Sequence, residues 1–261
     1  MSPDPLISVR SFSKAYEGIP AVKRVSFSVK PGEILGVIGP NGAGKTTTMR
    51  ALATLIQPSD GQLTVDGFDT QRHPVEVKRR LAYIPDDPRL FPHLTVEEHL
   101  TFAAAAYGVS QPDEKAARLL DDFELSGKRK TAARDLSRGM RQKLAICAAY
   151  LYEPSALLFD EPLTGLDPIG IRTLKQSIVQ RAHAGAAVMV SSHLLAMVED
   201  ICTHILLLGG GRQRFFGTVD ELRQEFADHG SASLEQIFFL ATGEPQTGEQ
   251  RVETSDAAVI A

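Results

Sequence analysis

The sequence is poor in cysteine and in long apolar runs, and each shortage excludes a class of protein. Its 261 residues include two cysteines, Cys147 and Cys202, which lie far apart in apolar helical patterns. Such cysteines are typical of buried free thiols and not of a disulfide framework. No segment approaches the run of about 20 apolar residues that spans a bilayer, and residues 1–5 lack the pattern of a signal peptide. We therefore expect a cytoplasmic protein.

Surplus basic charge is also missing. The chain has 28 lysines and arginines against 32 acidic residues, which gives a net charge of −4. No basic run is longer than the triplet at 128–130, and such a triplet is typical of a solvated loop. Since a protein that binds nucleic acid needs basic charge to neutralise phosphates, we do not expect nucleic acid as the main partner.

Short apolar runs alternate with helical patterns, which predicts an α/β fold with a mostly parallel sheet covered on both faces. Alternating apolar residues near 6–9 and 25–29 predict an additional N-terminal antiparallel portion. From about residue 92 to 152 the pattern is helical only, which indicates a helical lobe inserted into the core. Strands are predicted over 34–38, 63–65, 82–84, 156–159, 187–191 and 205–208, and helices over 45–57, 112–125 and 138–152, with one more beginning at Thr95.

The chain is predicted to form one domain over residues 1–243. Its last part, 218–243, is predicted to be a helical extension, because capping-box patterns stand at 218–221 and 233–236. Residues 244–261 have little to bury, so this tail is predicted to be disordered.

A glycine-rich loop follows the apolar run at 34–38 and precedes a predicted helix. It reads Gly39-Pro40-Asn41-Gly42-Ala43-Gly44-Lys45-Thr46 and fits the phosphate-loop pattern at every fixed position. Its glycines let backbone amides face phosphate oxygens, the helix N-terminus adds positive potential, and Lys45 reaches the outer phosphates. Thr46 offers a hydroxyl to Mg²⁺, and Thr47 next to it is grouped with the nucleotide-binding residues.

An acidic pair, Asp160 and Glu161, closes the apolar strand at 156–159. Ligand sites in parallel sheets lie outside such strand ends. Asp160 is therefore expected to hold Mg²⁺ opposite Thr46, and Glu161 to orient a water for attack on the γ-phosphate. Alone, such a pair often only caps a turn; the phosphate loop favours the catalytic interpretation.

These motifs resemble those of the ABC ATPase family, and the resemblance extends to about residue 243. Leu136-Ser137-Arg138-Gly139-Met140 is similar to the family's signature, usually Leu-Ser-Gly-Gly-Gln, with arginine and methionine as departures. From the residues alone, Ser137 is a helix N-cap. The resemblance implies that two domains pair head to tail, so that Ser137 and Gly139 of one copy bind the ATP held by the other.

The resemblance also implies roles for three more residues. Asp167 matches the family's loop that crosses the dimer seam, and it is also the predicted N-cap of a helix with Pro168 at its first position. His193 matches the switch histidine, which contacts the γ-phosphate and steadies the attacking water. Tyr16 stands where the family stacks an aromatic ring on adenine, although packing at a strand end is the alternative.

Asp86 departs from the family pattern. It stands in Tyr83-Ile84-Pro85-Asp86-Asp87, where the family usually has a glutamine that senses Mg²⁺ and water. An aspartate is charged and one methylene shorter, so we expect Asp86 to bind Mg²⁺ more strongly but to reach less far. The alternative is a loop residue with no special role.

The resemblance implies an ATP-hydrolysing subunit that powers a transporter, most like the ABC-2 or EcsA-like exporter ATPases. Its expected ligands are ATP and Mg²⁺, and its expected partners are a second ABC ATPase copy and integral membrane permease subunits. It would sit at the inner face of the cell membrane through the permease. Two alternatives are a soluble ABC ATPase that assembles or remodels a protein complex, and a non-hydrolysing clamp, against which Glu161 argues.

Overall fold

The computed structural model describes residues 4–192, 195–225 and 238. The strands of these residues form two sheets. An antiparallel sheet has the order β2-β1-β4-β5, and a core sheet has the order β10-β9-β3-β8-β7-β6. The strands are β1 (Ile7–Tyr16), β2 (Ile19–Val29), β3 (Ile34–Ile38), β4 (Asp60–Val65), β5 (Phe68–Asp69), β6 (Leu81–Ile84), β7 (Ala156–Asp160), β8 (Ala187–Ser191), β9 (His204–Gly209) and β10 (Arg212–Thr218).

The core sheet is parallel from β9 to β6, and only its edge strand β10 runs antiparallel to its neighbour. The predicted fold class, a mostly parallel core with an N-terminal antiparallel portion, is confirmed. Parallel order brings the carboxyl ends of β3, β6, β7 and β8 to one edge of the sheet. The phosphate loop and the acidic pair leave the sheet at that edge.

Helices cover the core sheet and fill the segment between β6 and β7. Those of the described residues are α1 (Lys45–Leu52), α2 (Pro74–Arg80), α3 (Val96–Tyr107), α4 (Pro112–Asp122), α5 (Arg138–Leu151), α6 (Pro168–His183), α7 (Leu195–Ile201) and α8 (Val219–Glu225), besides two 3-10 turns at Ser126–Lys128 and Ala133–Asp135.

Helix α1 is shorter than predicted. The sequence pattern runs to residue 57, but the helix ends at Leu52. Thr54 has a φ of 60°, in the left-handed region, so the helical path stops there and the chain turns toward β4. The predicted end of α1 was wrong, because the spacing of apolar residues does not indicate this turn.

Strands β1 and β2 are longer than predicted and form a hairpin. Glu17 and Gly18 join them with φ values of 49° and 82°, as a two-residue turn with both central residues left-handed requires. The sequence pattern missed β5, α2 and β10, because the first two are short and β10 is a polar edge strand. At the hairpin's end, Tyr16 pairs with Ile19.

Three helices, α3, α4 and α5, lie in sequence between the neighbouring parallel strands β6 and β7. The capping box at Thr95 is present: its hydroxyl accepts from the Glu98 amide, and the Glu98 carboxylate accepts from the Thr95 amide. Tyr150 of α5 contacts Phe159 of β7 edge to face, with centroids 6.4 Å apart, so the helices share apolar packing with the core sheet. The limits of a lobe at 92 and 152 stay a prediction.

The core sheet separates two hydrophobic clusters, because side chains alternate along its buried strands. On β7, Leu157 and Phe159 face the cluster that holds the helices α3 to α7, whereas Leu158 faces α1 and the antiparallel sheet. Both clusters are fully buried at the sheet. The strand ends that bear the motifs are therefore held from both sides.

Cys147 and Cys202 are free and buried, as predicted. Burial raises the pKa of the Cys202 thiol to about 12 and raises the pKa of the Cys147 thiol further. Both thiols are therefore protonated and unreactive near neutral pH.

The capping box at Thr218 is present, with hydrogen bonds in both directions between Thr218 and Glu221. The second predicted capping box at 233–236 and the tail at 244–261 lie outside the described residues, as does most of the predicted extension after Glu225. Within the described part of the chain, no helix combines the length and the apolar character needed to cross a membrane.

Candidate functional site

The phosphate loop, residues 39–46, connects the buried strand β3 to α1. Gly44 caps the helix with a φ of 103°, and a Cβ there would meet Val22 at 2.8 Å, so this position needs glycine. Lys45 is buried, and its ammonium donates to the carbonyl oxygens of Gly39 at 2.6 Å and Pro40 at 3.2 Å. The loop therefore curls around one positive charge at a helix N-terminus, an arrangement that favours phosphate.

Asp160 lies beside this loop and accepts three hydrogen bonds from three different elements. The Thr46 hydroxyl of α1 donates to its Oδ1 at 3.1 Å, and the Ser191 hydroxyl of β8 donates to the same oxygen at 2.6 Å. The Tyr83 hydroxyl of β6 donates to its Oδ2 at 3.0 Å. The structure thus brings the predicted pair Thr46 and Asp160 together and orients the carboxylate from both sides.

Tyr83 and Ser191 were not assigned a role from the sequence. Partial burial raises the pKa of the Tyr83 phenol well above its ordinary value, and the negative charge of Asp160 raises it further. The phenol is therefore neutral at physiological pH and donates to the carboxylate. The available signal was a polar-tipped aromatic inside the otherwise apolar strand at 81–84.

Replacing Tyr83 with phenylalanine is expected to raise the Mg²⁺ concentration for half-maximal ATP hydrolysis, by about three- to tenfold. The substitution keeps the ring and removes one donor to a buried carboxylate, and hydrogen bonds to charged groups are among the stronger ones. Titrating Mg²⁺ at saturating ATP measures the shift.

Tyr150→Phe is the matched control, because the Tyr150 hydroxyl is also in a hydrogen bond, with Ser177 at 2.9 Å, away from the site. We expect its Mg²⁺ dependence to equal that of the unmodified chain. An unchanged Mg²⁺ dependence in Tyr83→Phe would show that the hydrogen bond from the Tyr83 phenol to Asp160 does not contribute to Mg²⁺ binding.

Glu161 leaves the strand in a strained conformation. Its φ is 50°, which costs a non-glycine residue about 1 kcal/mol or more. Its amide donates to the Ser191 hydroxyl at 3.0 Å and to the Ser191 carbonyl at 3.2 Å. Ser191 thus holds both members of the acidic pair, and the strain is typical of a residue whose direction serves function.

Ser137 and Gly139 lie at the start of α5. The Ser137 hydroxyl accepts from the Met140 amide at 3.2 Å, so Ser137 is the helix N-cap that the residues alone predicted. Gly139 lies against the turn after β7: a Cβ there would overlap the Gly165 carbonyl oxygen. No side chain fits between these two segments.

Asp167 ends that turn and caps α6, accepting from the Gly170 amide at 2.7 Å. Lys143 of α5, nearly buried, lies 3.6 Å from Asp167 and 3.2 Å from Glu124. The turn after β7 is therefore tied to α5 by both backbone proximity and charge.

The other predicted residues are placed as follows. Tyr16 is exposed at the end of β1, with the Lys14 ammonium 5.1 Å from its ring centroid. The Asp86 carboxylate accepts from the Arg138 guanidinium at 2.7 Å. His193 lies outside the described residues.

The donor set at Thr46 and Asp160 fits Mg²⁺. A hydroxyl and a carboxylate are hard oxygen ligands, and both lie beside the phosphate loop. Among the described residues no cluster of three histidine, cysteine or acidic side chains is arranged for a metal. Mg²⁺ commonly uses one or two protein oxygens and completes its shell with substrate phosphates and water.

Comparisons with known proteins find ATP-binding subunits of transporters. The family model described as ABC transporter matches residues 22–164. The ATP-binding protein EcsA of an ABC-type transporter from Bacillus subtilis (strain 168) is 36% identical over 241 residues, covering 92% of this chain and 97% of that protein. The SkfA peptide export ATP-binding protein SkfE of the same organism is 33% identical over 209 residues, 79% of this chain and 87% of that protein.

A solved structure described as the ATP-binding subunit of an ABC transporter is also similar. It has a TM-score of 0.87 and 36% sequence identity, over 90% of this chain and 99% of that one. At this identity the likeness covers both sequence and fold, over nearly the whole described structure.

Proposed function

The chain belongs to the ABC transporter family, as an ATP-binding and ATP-hydrolysing subunit that powers transport, and from this premise we propose that two copies close on ATP and drive export. The observation that carries the proposal is the convergence of Lys45, Thr46, Asp160 and Glu161 at one edge of the core sheet. The roles of the single residues are part of the proposal.

In the proposed mechanism the phosphate loop binds the triphosphate, and the Lys45 ammonium moves from the Gly39 and Pro40 carbonyls to its outer phosphates. Thr46 and Asp160 would hold Mg²⁺, which supplies charge neutralisation at the phosphates. Glu161 orients a water for in-line attack and accepts its proton. Its strained backbone and its two hydrogen bonds to Ser191 support a fixed direction for that carboxylate.

Closure of two copies is the proposed source of mechanical work. Ser137 and Gly139 of one copy would complete the nucleotide site of the other, with Asp167 at the seam. The close approach of Gly139 to Gly165 supports this, because it makes α5 and the turn that ends at Asp167 one surface. ATP performs work only if it binds the closed state more tightly than the open one.

His193 and Tyr16 complete the proposed site. His193 would contact the γ-phosphate and steady the attacking water. Tyr16 would stack on adenine, for which its exposed ring at the end of the β1–β2 hairpin is accessible.

A groove between the core and the α3–α5 helices is the proposed docking surface for the permease. It has a volume of about 330 Å³ and an apolar floor of small residues. Leu55 and Tyr107 line it and are exposed, by 57% and 41%. An apolar groove with exposed apolar side chains at its rim can bury an apolar segment of another protein, and the proposed occupant is a cytoplasmic apolar segment of a permease subunit. Tyr83 also lines the groove, so the docked segment would lie one side chain from Asp160.

Aspartate at Leu55 or Tyr107 is therefore expected to abolish copurification with the permease subunits from solubilised membranes. Because the Leu55 side chain is exposed, the isolated Leu55→Asp chain should fold and hydrolyse ATP within about twofold of the unmodified rate. Tyr107 also stacks on Tyr152, with ring centroids 3.7 Å apart, so Tyr107→Asp is used only after circular dichroism shows that it is folded. Pull-down from membranes and ATPase assays of the isolated chain measure the two properties separately.

Val75→Asp is the control, since Val75 is 60% exposed but does not line the groove. It should retain the permease. Retention of the permease by both groove variants would place the docking surface elsewhere, and the absence of any polytopic protein in the unmodified pull-down would favour a soluble remodelling ATPase.

Attachment through the permease would hold the chain at the inner face of the cell membrane. Export is proposed because SkfE is named as a peptide export ATP-binding protein. Inside-out vesicles that carry the assembled transporter should accumulate its substrate when ATP is added outside, whereas an importer would show ATP-driven release.

A further inference from the structure

Asp86 and Arg138, two of the departures from the family's usual residues, contact each other. They lie 52 residues apart in the chain, yet the Arg138 guanidinium donates to the Asp86 carboxylate at 2.7 Å. Asp86 belongs to the loop after β6, and Arg138 is the first residue of α5. The two unusual residues therefore form one ion pair between the core sheet and the signature helix.

The face of α5 that carries Arg138 also contacts the loop after β6 and the turn after β7. One turn along, the buried Gln142 side chain donates to the Pro85 carbonyl at 3.4 Å. The aliphatic stem of Arg138 lies over Gly165, where an added Cβ would come within 3.2 Å of it. Arg138 thus touches the loop after β6 with its head and the turn after β7 with its stem.

This pair is suited to being made and broken. Its side chains are 43% and 49% exposed, and exposed ion pairs add little to folding stability because water and salt screen them. Its loss should therefore leave the fold intact. Its effect is expected instead on the orientation of α5, since the guanidinium is the charged link between that helix's first turn and the loop after β6.

We propose that Asp86 and Arg138 act as one positioning pair, which sets the orientation of the signature helix for ATP hydrolysis, and that each unusual residue is tolerated because the other is present. The proposal rests on the proposed function, in that α5 is taken to complete a partner's nucleotide site. It gives Asp86 a role other than metal binding: its carboxylate neutralises Arg138, which would otherwise present an unpaired positive charge beside the signature.

A double-mutant cycle tests the pair. Asp86→Gln and Arg138→Gly each restore the family's usual residue and leave the other partner unpaired, so each is expected to lower kcat about three- to fivefold. The double variant D86Q/R138G should recover to within about twofold of the unmodified chain, because coupled residues are not additive. Asp86→Glu with Arg138→Lys, which keeps both charges, should also retain activity.

The Mg²⁺ dependence separates a positioning pair from a metal ligand. If Asp86 only positions α5, Asp86→Gln lowers kcat but leaves the Mg²⁺ concentration for half-maximal hydrolysis unchanged. A ligand's loss would raise that concentration by about tenfold or more, and removing Arg138 as well would not restore it.

A second exposed ion pair, between α4 and the segment that follows α5, provides the matched control. Lys115 and Glu153 lie 3.0 Å apart and are 43% and 58% exposed, away from the signature. Lys115→Gln, Glu153→Gln and the double variant K115Q/E153Q should hydrolyse ATP within about twofold of the unmodified chain. A similar loss in these variants would mean that any charge change in the helices has this effect.

Additive losses in D86Q/R138G, with circular dichroism showing folded protein in every variant, would overturn the proposal. That result leaves the proposed function standing as long as the unmodified chain hydrolyses ATP and Glu161→Gln does not. If Glu161→Gln keeps its activity, the proposed function fails independently of the pair.

Discussion

Glu161→Gln is expected to lower ATP hydrolysis by about 100- to 1,000-fold while ATP binding persists. A positioned base contributes a factor of about 10² to 10⁴ to such reactions, and glutamine keeps the shape of the side chain but cannot accept the proton. The Glu161 backbone, with its φ of 50°, is held by Ser191 through the amide, so glutamine should keep this conformation.

The same variant should accumulate a closed dimer. When hydrolysis is blocked, ATP stays bound and continues to favour the closed state. Size-exclusion chromatography with light scattering, with and without Mg²⁺ and ATP, should show a dimer only with nucleotide, while phosphate release measures the lost turnover. The unmodified chain under the same conditions is expected to be mostly monomeric.

Asp160→Asn distinguishes the two carboxylates. Asp160 accepts hydrogen bonds from Thr46, Ser191 and Tyr83, so its loss should impair Mg²⁺-dependent ATP binding and prevent the trapped dimer.

If Glu161→Gln retained turnover within tenfold of the unmodified chain, Glu161 would not be the base. If Glu161→Gln bound no ATP, the role of Glu161 would be structural.

The motifs could be predicted from the sequence because each consists of residues that are close together in the chain. The phosphate loop requires fixed spacing over eight residues, and the acidic pair requires only a strand before it. The family and fold class expected from them are confirmed by the comparisons and by the two sheets. Local spacing also gave the capping residues Thr95, Ser137 and Asp167, each of which accepts the hydrogen bond of a helix cap.

The residues that hydrogen-bond to Asp160 could not be predicted from the sequence, because their contacts join segments that are distant in the chain. Tyr83 reaches Asp160 across 77 residues, and Ser191 reaches it across 31. Both come from strands that only the order of the parallel sheet places beside β7. The pairing of Asp86 with Arg138 required the same information: each was visible as a departure, but nothing local joined them.

A mixture of two inactive variants is expected to regain bound ATP if two copies share each nucleotide site. Lys45→Ala removes the ammonium from the phosphate loop, and Ser137→Asp puts a negative charge where the partner's triphosphate would lie. Aspartate is as good an N-cap as serine, so the hydrogen bond from the Met140 amide, and with it α5, should persist. With Glu161→Gln in both chains to block turnover, neither variant alone should retain ATP.

Mixed dimers have one doubly defective site and one intact site, because the intact phosphate loop and the intact signature come from different copies. Complexes purified through two different tags should therefore retain about one ATP each. Bound nucleotide is counted after rapid desalting, and chains carrying only Glu161→Gln should retain about two per dimer.

The reciprocal mixture gives the opposite result and so decides the geometry. When one chain carries both Lys45→Ala and Ser137→Asp and the other carries neither, each shared site of a mixed dimer has one defect, and the complexes purified through both tags should retain no ATP. If Ser137 instead served its own chain's nucleotide, the chain without these two changes would be self-sufficient. ATP would then be retained here and lost in the first mixture. Ser137 caps α5, and Gly139 of the same helix lies against the turn that ends at Asp167, the residue proposed at the seam; we therefore expect the shared arrangement.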